Sequence, residues 1–327
     1  MSGKHNRFLI IAVSLGAILM FALAAGCTTQ STKAPVSTQA PAAQPAAADP
    51  AITPSAPAAA PIQTTAVQAS SGQRQTIKIS GSTTVLPIVQ KAADQYMDSH
   101  PYADIQVSGG GSGLGIQAVG AKMVDIGMSS REVSADEMKK YPSFVVTPVA
   151  QDGIAVIVNP TNTIQSINLD QVKNIYLGRI TKWTEITGAS VPGTSNQVVI
   201  IGRDSASGTR TYFDETVLSK ATPTKQMLEK NSNGAVLQTV AQTPGAIGYV
   251  SIGFASKDVK ALPLWYNANN IIDPSLANVR TRTYPVSRDL YVITNGPPSG
   301  LAGDFITYIL SPEGQKIVSD EGYVTIT

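Results

Sequence analysis

The sequence predicts an α/β fold, because stretches that read as strands alternate with stretches that read as helices and small-residue turns join them. The first unit shows the pattern. Residues 76–80 alternate polar and apolar positions around Ile77 and Ile79, and Gly81-Ser82-Thr83-Thr84 follows. Then Leu86, Ile88, Val89, Ala92, Ala93 and Tyr96 recur at helical spacing over 85–97. The same strand–turn–helix order returns along the chain, as it does in largely parallel sheets with helices between the strands. The chain shows no internal repeat.

Taken in order, 104–107 reads as a strand, Gly109-Gly110-Gly111-Ser112-Gly113 as its turn and 114–121 as the following helix. Residues 125–128 form a short strand leading to Ser129-Ser130-Arg131, 150–158 a strongly apolar strand, and 170–176 a short helix. The strand 198–201 runs into Arg203-Asp204-Ser205-Ala206-Ser207-Gly208-Thr209-Arg210, whose end opens another helix. A glycine-flanked strand at 245–250, a strand at 290–294 and helices at 301–309 and 312–320 complete the body.

Four of these turns combine glycines with hydroxyls, and two add arginine. At helix N-termini, unpaired N–H groups and the helix dipole favour an anion. Ligands of open α/β sheets sit at the carboxyl ends of strands. The pattern therefore points to capture of a small oxyanion by hydroxyls, backbone N–H groups and a guanidinium fork. It suits nucleophilic catalysis poorly: the body offers one histidine, His100, no cysteine, and no serine in a nucleophile-elbow context. One histidine without a cysteine is too few ligands for a zinc site of His/Cys type, and no cofactor is expected. The formal net charge of +2 over 327 residues gives no nucleic-acid signature.

The N-terminus stands apart. Lys4, His5 and Arg7 precede an apolar run over 8–25, and Ala24-Ala25-Gly26 leads into Cys27, the sole cysteine. Residues 1–26 read as an export signal with Cys27 as a lipidated first mature residue. An uncleaved anchor is the alternative, since the run is long enough to span a bilayer. Residues 27–74, rich in Ala, Pro, Thr, Gln and Ser, read as a disordered stalk. Either reading places the body outside the cytoplasm, tethered to a membrane.

The chain resembles the phosphate-binding proteins of phosphate ABC transporters, in the two-lobed periplasmic/extracellular solute-binding superfamily. The resemblance rests on Ile79-Ser80-Gly81-Ser82-Thr83-Thr84-Val85-Leu86-Pro87, on 109–116, on Val124-Asp125-Ile126-Gly127-Met128-Ser129-Ser130-Arg131, on 203–210 and on Thr243-Pro244-Gly245-Ala246-Ile247-Gly248-Tyr249. It implies a type II periplasmic-binding-protein-like fold, with lobe 1 formed by 75–154 and 286–327, lobe 2 by 155–285, and two crossover strands closing them over the ligand. It implies a monomeric, non-enzymatic receptor that delivers inorganic phosphate to the permease subunits of an ABC importer. A phosphoester hydrolase on the same fold, an adhesion module and a receptor for another oxyanion are the alternatives.

Transferred residue by residue, the resemblance gives Ser82, Thr83, Thr84, Ser112, Gly113, Asp125, Ser129, Ser130, Arg203, Ser207, Gly208 and Thr209 as phosphate ligands. Each hydroxyl has the competing role of an ordinary helix cap. Asp125 would accept the proton of a protonated phosphate and reject fully ionised sulfate, which leaves the acceptor unsatisfied; its alternative is a turn cap or a bridge to Arg131. Asp204 would brace an arginine. Arg210 is either a ligand or a partner of Asp204 or Asp125, and Arg131 either orients Asp125 or faces solvent. Trp183 and Trp265 are expected in packing roles.

Overall fold

The computed structural model describes residues 73–267 and 270–326. The expected signal, Cys27 and almost all of the stalk lie outside the described residues. No helix among the described residues is long and apolar enough to cross a membrane.

The chain begins with β1 (Gln75–Gly81), α1 (Leu86–Ser99), β2 (Ala103–Ser108), α2 (Ser112–Gly120), β3 (Ile126–Ser129) and α3 (Ala135–Lys140). A 15-residue strand, β4 (Phe144–Val158), leads to β5 (Ile167–Asn168), α4 (Leu169–Tyr176), β6 (Val199–Arg203), α5 (Gly208–Thr216), β7 (Leu228–Lys230) and α6 (Asn233–Gln242). Then come β8 (Ala246–Ser251), β9 (Lys260–Ala261), β10 (Leu264–Asn267), β11 (Asn270–Ile272), α7 (Leu276–Arg280), β12 (Ser287–Asn295), α8 (Gly300–Leu310) and α9 (Pro312–Asp320).

The main sheet runs β2-β1-β3-β12-β4-β8-β6-β7, with β9 on β4. Its two ends are parallel, as expected: β2, β1 and β3 on one side, β8, β6 and β7 on the other. The middle departs from that expectation. β12 is antiparallel to both β3 and β4, and β4 is antiparallel to β8. The reason lies in the length of β4, which begins at Phe144 rather than near Ala150. Its first part pairs with β12 as far as Gly153↔Ser287, and its second part pairs with β8 from Ile154↔Ser251 onward.

The hydrophobic cores change at the same place. Ile79, Ile88, Met128, Val149, Leu290, Val292 and Phe305 belong to one cluster. Ile154, Val156, Tyr176, Trp183, Phe213, Tyr249, Tyr284 and Val286 belong to another. Trp183 is fully buried and its indole N–H donates to the Gly245 carbonyl at 2.9 Å, so this tryptophan packs as expected. Gly245 takes φ +80°, and a Cβ there would meet the Gln197 carbonyl oxygen at 2.6 Å, which explains a glycine in the 243–249 motif. The parallel strands β1, β2, β3 and β6 all end, at their carboxyl ends, in the hydroxyl-rich turns.

Candidate functional site

The turns after β1, β2, β3 and β6 converge where the two cores meet. Thr84 and Thr209 place their hydroxyl oxygens 3.1 Å apart across 125 residues of sequence. Ser112 and Ser130 approach to 3.3 Å, and the Ser130 N–H donates to the Ser112 hydroxyl at 3.0 Å. Gly208 lies against this serine pair: a Cβ on it would stand 2.2 Å from Ser112 Oγ and 2.9 Å from Ser130 Oγ. Only a residue without a side chain leaves that cradle open. Ser207 caps α5, accepting from the Arg210 N–H at 3.2 Å. Gly208 and Thr209 occupy the first two helical positions, where no intrahelical acceptor exists for their N–H groups.

Arg203 supplies the charge. It is 1% exposed and is held by the Lys230 and Asn231 carbonyls, each at 3.2 Å, while its Nη2 donates to the Thr83 hydroxyl at 3.1 Å. Its Nη1 is buried with no hydrogen-bond partner. Burial, with the nearby Arg288 guanidinium, pulls the Arg203 pKa down to about 10 against the opposing pull of Tyr249 and Asp204, so the group stays cationic at neutral pH. A buried guanidinium with an unused donor and no ion-pair partner among the described residues is a ready-made anion ligand.

Several expected ligands are placed elsewhere. Asp125 is exposed, and its carboxylate accepts from the Lys78 N–H at 2.7 Å. It precedes β3, whereas Ser130 follows it, so the two stand at opposite ends of that strand. The five residue steps from one to the other span about 16 Å at about 3.3 Å each. Ser129 turns its hydroxyl into a local turn, donating to the Arg131 carbonyl at 2.7 Å. The Gly113 N–H donates to the Ala206 carbonyl at 3.0 Å, which ties the second turn to the fourth and removes this donor from the ligand list. Ser82 accepts from Thr84 N–H at 3.2 Å and Val85 N–H at 3.4 Å, which closes the turn that precedes α1.

The surrounding charges also differ from expectation. Arg131 forms a two-pronged pair with Glu137 at 2.8 and 2.7 Å instead of orienting Asp125. Asp204 accepts from the Ala206 N–H at 3.1 Å and bridges no arginine among the described residues. Arg210 is structural: it pairs with Asp214 at 3.4 Å and Glu229 at 2.5 Å, and donates to the Arg203 carbonyl at 2.9 Å. His100 stacks on Tyr96 with ring centroids 3.9 Å apart, away from these turns.

Sequence reasoning missed three residues. Arg288 and Asp152 form an ion pair at 2.6 Å with side chains 1% and 0% exposed, at the point where β4 changes partner. Arg288 also donates to the Ser130 carbonyl at 2.9 Å and the Thr209 hydroxyl at 3.1 Å. Asp152 accepts in addition from Ser251 Oγ at 2.7 Å and Ile252 N–H at 3.3 Å. Burial pushes the Asp152 carboxyl above its usual range, and Arg288 opposes that shift. Asn233, at the start of α6, donates to the Thr84 hydroxyl at 2.9 Å. The one available signal was an acid and an arginine inside otherwise apolar strand runs.

Two parallel-ended lobes on one continuous sheet, with a polar cationic cluster between them, define the class of two-lobed solute-binding proteins. The domain profile of the PBP superfamily matches residues 66–313. Within that superfamily the chain belongs to the family of the phosphate-binding proteins PstS. It is 36% identical to the phosphate-binding protein PstS of Bacillus subtilis over 77% of this chain and 81% of that one. To its namesake in Pseudomonas aeruginosa it is 28% identical, over 79% and 85%. Its fold matches a candidate phosphate ABC transporter substrate-binding protein from Clostridium perfringens, solved with bound phosphate, at a TM-score of 0.70 and 29% identity, covering 77% of this chain and all 100% of that one. An ABC-type phosphate transport receptor from Vibrio cholerae matches at a TM-score of 0.63 and 28% identity, over 76% and 99%.

Proposed function

We propose that this protein is an extracytoplasmic receptor that binds inorganic phosphate between its lobes and delivers it, chemically unchanged, to the membrane subunits of an ABC importer. The observation that carries the reading is Arg203 Nη1, buried and unpartnered beside the hydroxyl cluster. The ligands are Thr83, Thr84, Ser112, Ser130, Arg203, Ser207, Gly208 and Thr209, a set of donors matched to tetrahedral oxygens. Lobe 1 comprises 75–154 with 286–327 and lobe 2 comprises 155–285, hinged where Asp152 and Arg288 meet. The protein works as a monomer, carried on the outer face of the membrane by a lipid on Cys27. No chemistry occurs: the ligand-facing groups bind charge, and His100 is engaged in its own stack.

The test is calorimetric titration of Arg203→Ala with phosphate. Loss of measurable binding with an unchanged ligand-free melting temperature is expected; parental affinity would remove Arg203 from the site. A second reading, a receptor that also takes other oxyanions, gains support from the placement of Asp125. With that carboxylate outside the cluster, its proposed role in rejecting sulfate is gone, and sulfate belongs in the same titration.

A further inference from the structure

We propose that Asp204 is a positioning residue that presents the Ala206 carbonyl as a catch on the N-terminus of α2, and that this catch sets how fast phosphate leaves the closed site. The proposal rests on the phosphate-receptor reading above and adds a determinant of release that never touches the ligand.

The two turns that meet here come from opposite sides of the main sheet. Gly111, Ser112 and Gly113 follow β2 and open α2, while 204–207 follows β6 and opens α5. Their backbones meet with no side chain between them. Gly111 takes φ +102°, and a Cβ there would stand 2.5 Å from the Ala206 carbonyl oxygen and 3.1 Å from Ala206 Cβ. Only glycine permits both that conformation and that approach. The Gly113 N–H, at the second position of α2, has no intrahelical acceptor and donates to the same carbonyl at 3.0 Å. The helix dipole favours a partly negative oxygen at that end.

Asp204 shapes the turn that carries this carbonyl. Its Oδ1 accepts from the Ala206 N–H at 3.1 Å, and its own carbonyl accepts from the Ser207 N–H at 3.2 Å. Its N–H donates to the Lys230 carbonyl at 3.1 Å, which anchors the turn to β7. An aspartate that bonds the backbone two residues on fixes a turn in this way.

The consequence for release follows from burial. Thr84, Ser112, Ser130, Arg203, Ser207 and Thr209 are each at most 1% exposed, so a phosphate among them leaves only after the turns part. The ties between Thr84 and Thr209 and between Thr83 and Arg203 are made by proposed ligands. The bond from Gly113 to Ala206 uses none of them. It exists only while the two sides are together, so it opposes opening without opposing entry.

Asp204 also supports the charge on Arg203, so the test compares two neutral replacements. Asp204→Asn keeps an oxygen for the Ala206 N–H, and Asp204→Ala has none. Release is read by chasing radiolabelled phosphate from the preloaded protein, association by rapid mixing, and folding by ligand-free melting temperature. Asp204→Ala should release phosphate about tenfold faster than Asp204→Asn at an equal association rate, as expected for one lost hydrogen bond.

A second pair of variants probes the other half of the catch. Gly113→Pro removes the donor at a helical position where α1 already carries Pro87. Gly113→Ala keeps the donor, and its Cβ would sit in ordinary contact, 3.5 Å from the Ala206 carbonyl oxygen. The proline variant should release about tenfold faster than the alanine one. A difference under about threefold in either pair, between folded proteins, would overturn the proposal, as would a difference that appears in association instead of release. If one variant does not fold, the other pair carries the test alone. A parent that binds no phosphate overturns the receptor reading itself, a separate outcome.

Discussion

Arg288→Met removes the positive half of the one fully buried ion pair among the described residues, the pair that sits where β4 changes partner. The Asp152 carboxylate keeps its bonds from Ser251 and Ile252 but loses both bonds from the guanidinium. An uncompensated charge left in a protein interior costs about 3–5 kcal/mol. For a body of this size, each kcal/mol moves the melting temperature by about 2–4 °C, so the loss amounts to roughly 6–20 °C.

The pH dependence has a definite sign. Burial raises the Asp152 carboxyl, and without Arg288 nothing positive opposes it. A carboxyl with a folded pKa above its unfolded value destabilises when ionised, and stability falls as pH rises through the window between the two. The Arg288→Met deficit is therefore largest above that window and shrinks as the solution is acidified. Asp152→Asn added to Arg288→Met removes the stranded charge and keeps an acceptor for Ser251, so the double variant should recover most of the loss. Differential scanning calorimetry of the ligand-free proteins at two pH values provides the assay. A single variant melting within about 2 °C of the parent at alkaline pH would refute the reasoning.

Other consequences are simpler to state. Gly208→Ala puts a Cβ 2.2 Å from Ser112 Oγ and 2.7 Å from Ser112 Cβ, and should weaken phosphate binding at least about a hundredfold, read by calorimetry, while overpacking of about 1–3 kcal/mol also lowers the ligand-free melting temperature. Asp125→Asn should leave phosphate affinity and sulfate discrimination as in the parent, because the carboxylate is exposed on Lys78 and outside the cluster; a selectivity change in competition titrations would contradict that placement. Glu137 is held down to about 2 by Arg131 and the Ser134 N–H despite its burial, so its stabilising contribution is present above the ordinary carboxylate range and lost as pH falls toward 2. Arg131→Ala should flatten that acid limb of the melting profile. Burial lifts Asp214 to about 6, so its ionisation lowers stability as pH rises through about 4 to 6, and Asp214→Asn should remove that slope.

The alternating elements were legible because each strand–turn–helix unit carries its own periodicity and its own cap. The parallel ends of the sheet followed from that grammar. The antiparallel centre did not, since β4 and β12 are long-range neighbours and nothing local records their direction. Arg203 and the 207–209 turn were legible as a guanidinium beside a helix N-terminus. Asp125 was misplaced for a reason already in the sequence: it stands at the beginning of its strand, and ligands of such sheets collect where strands end. Ser130, five residues on, satisfies that rule. Asp152, Arg288 and Asn233 were hidden because their roles exist only once residues 136 and 149 positions apart are brought together.

The central claim is that the cluster around Arg203 holds inorganic phosphate. Its most direct test is calorimetric titration of the body from Gly72 onward, unfolded and refolded to strip bound ligand, with phosphate and separately with sulfate. The account predicts saturable one-to-one phosphate binding that vanishes in Arg203→Ala. A folded protein that takes up no phosphate would contradict it.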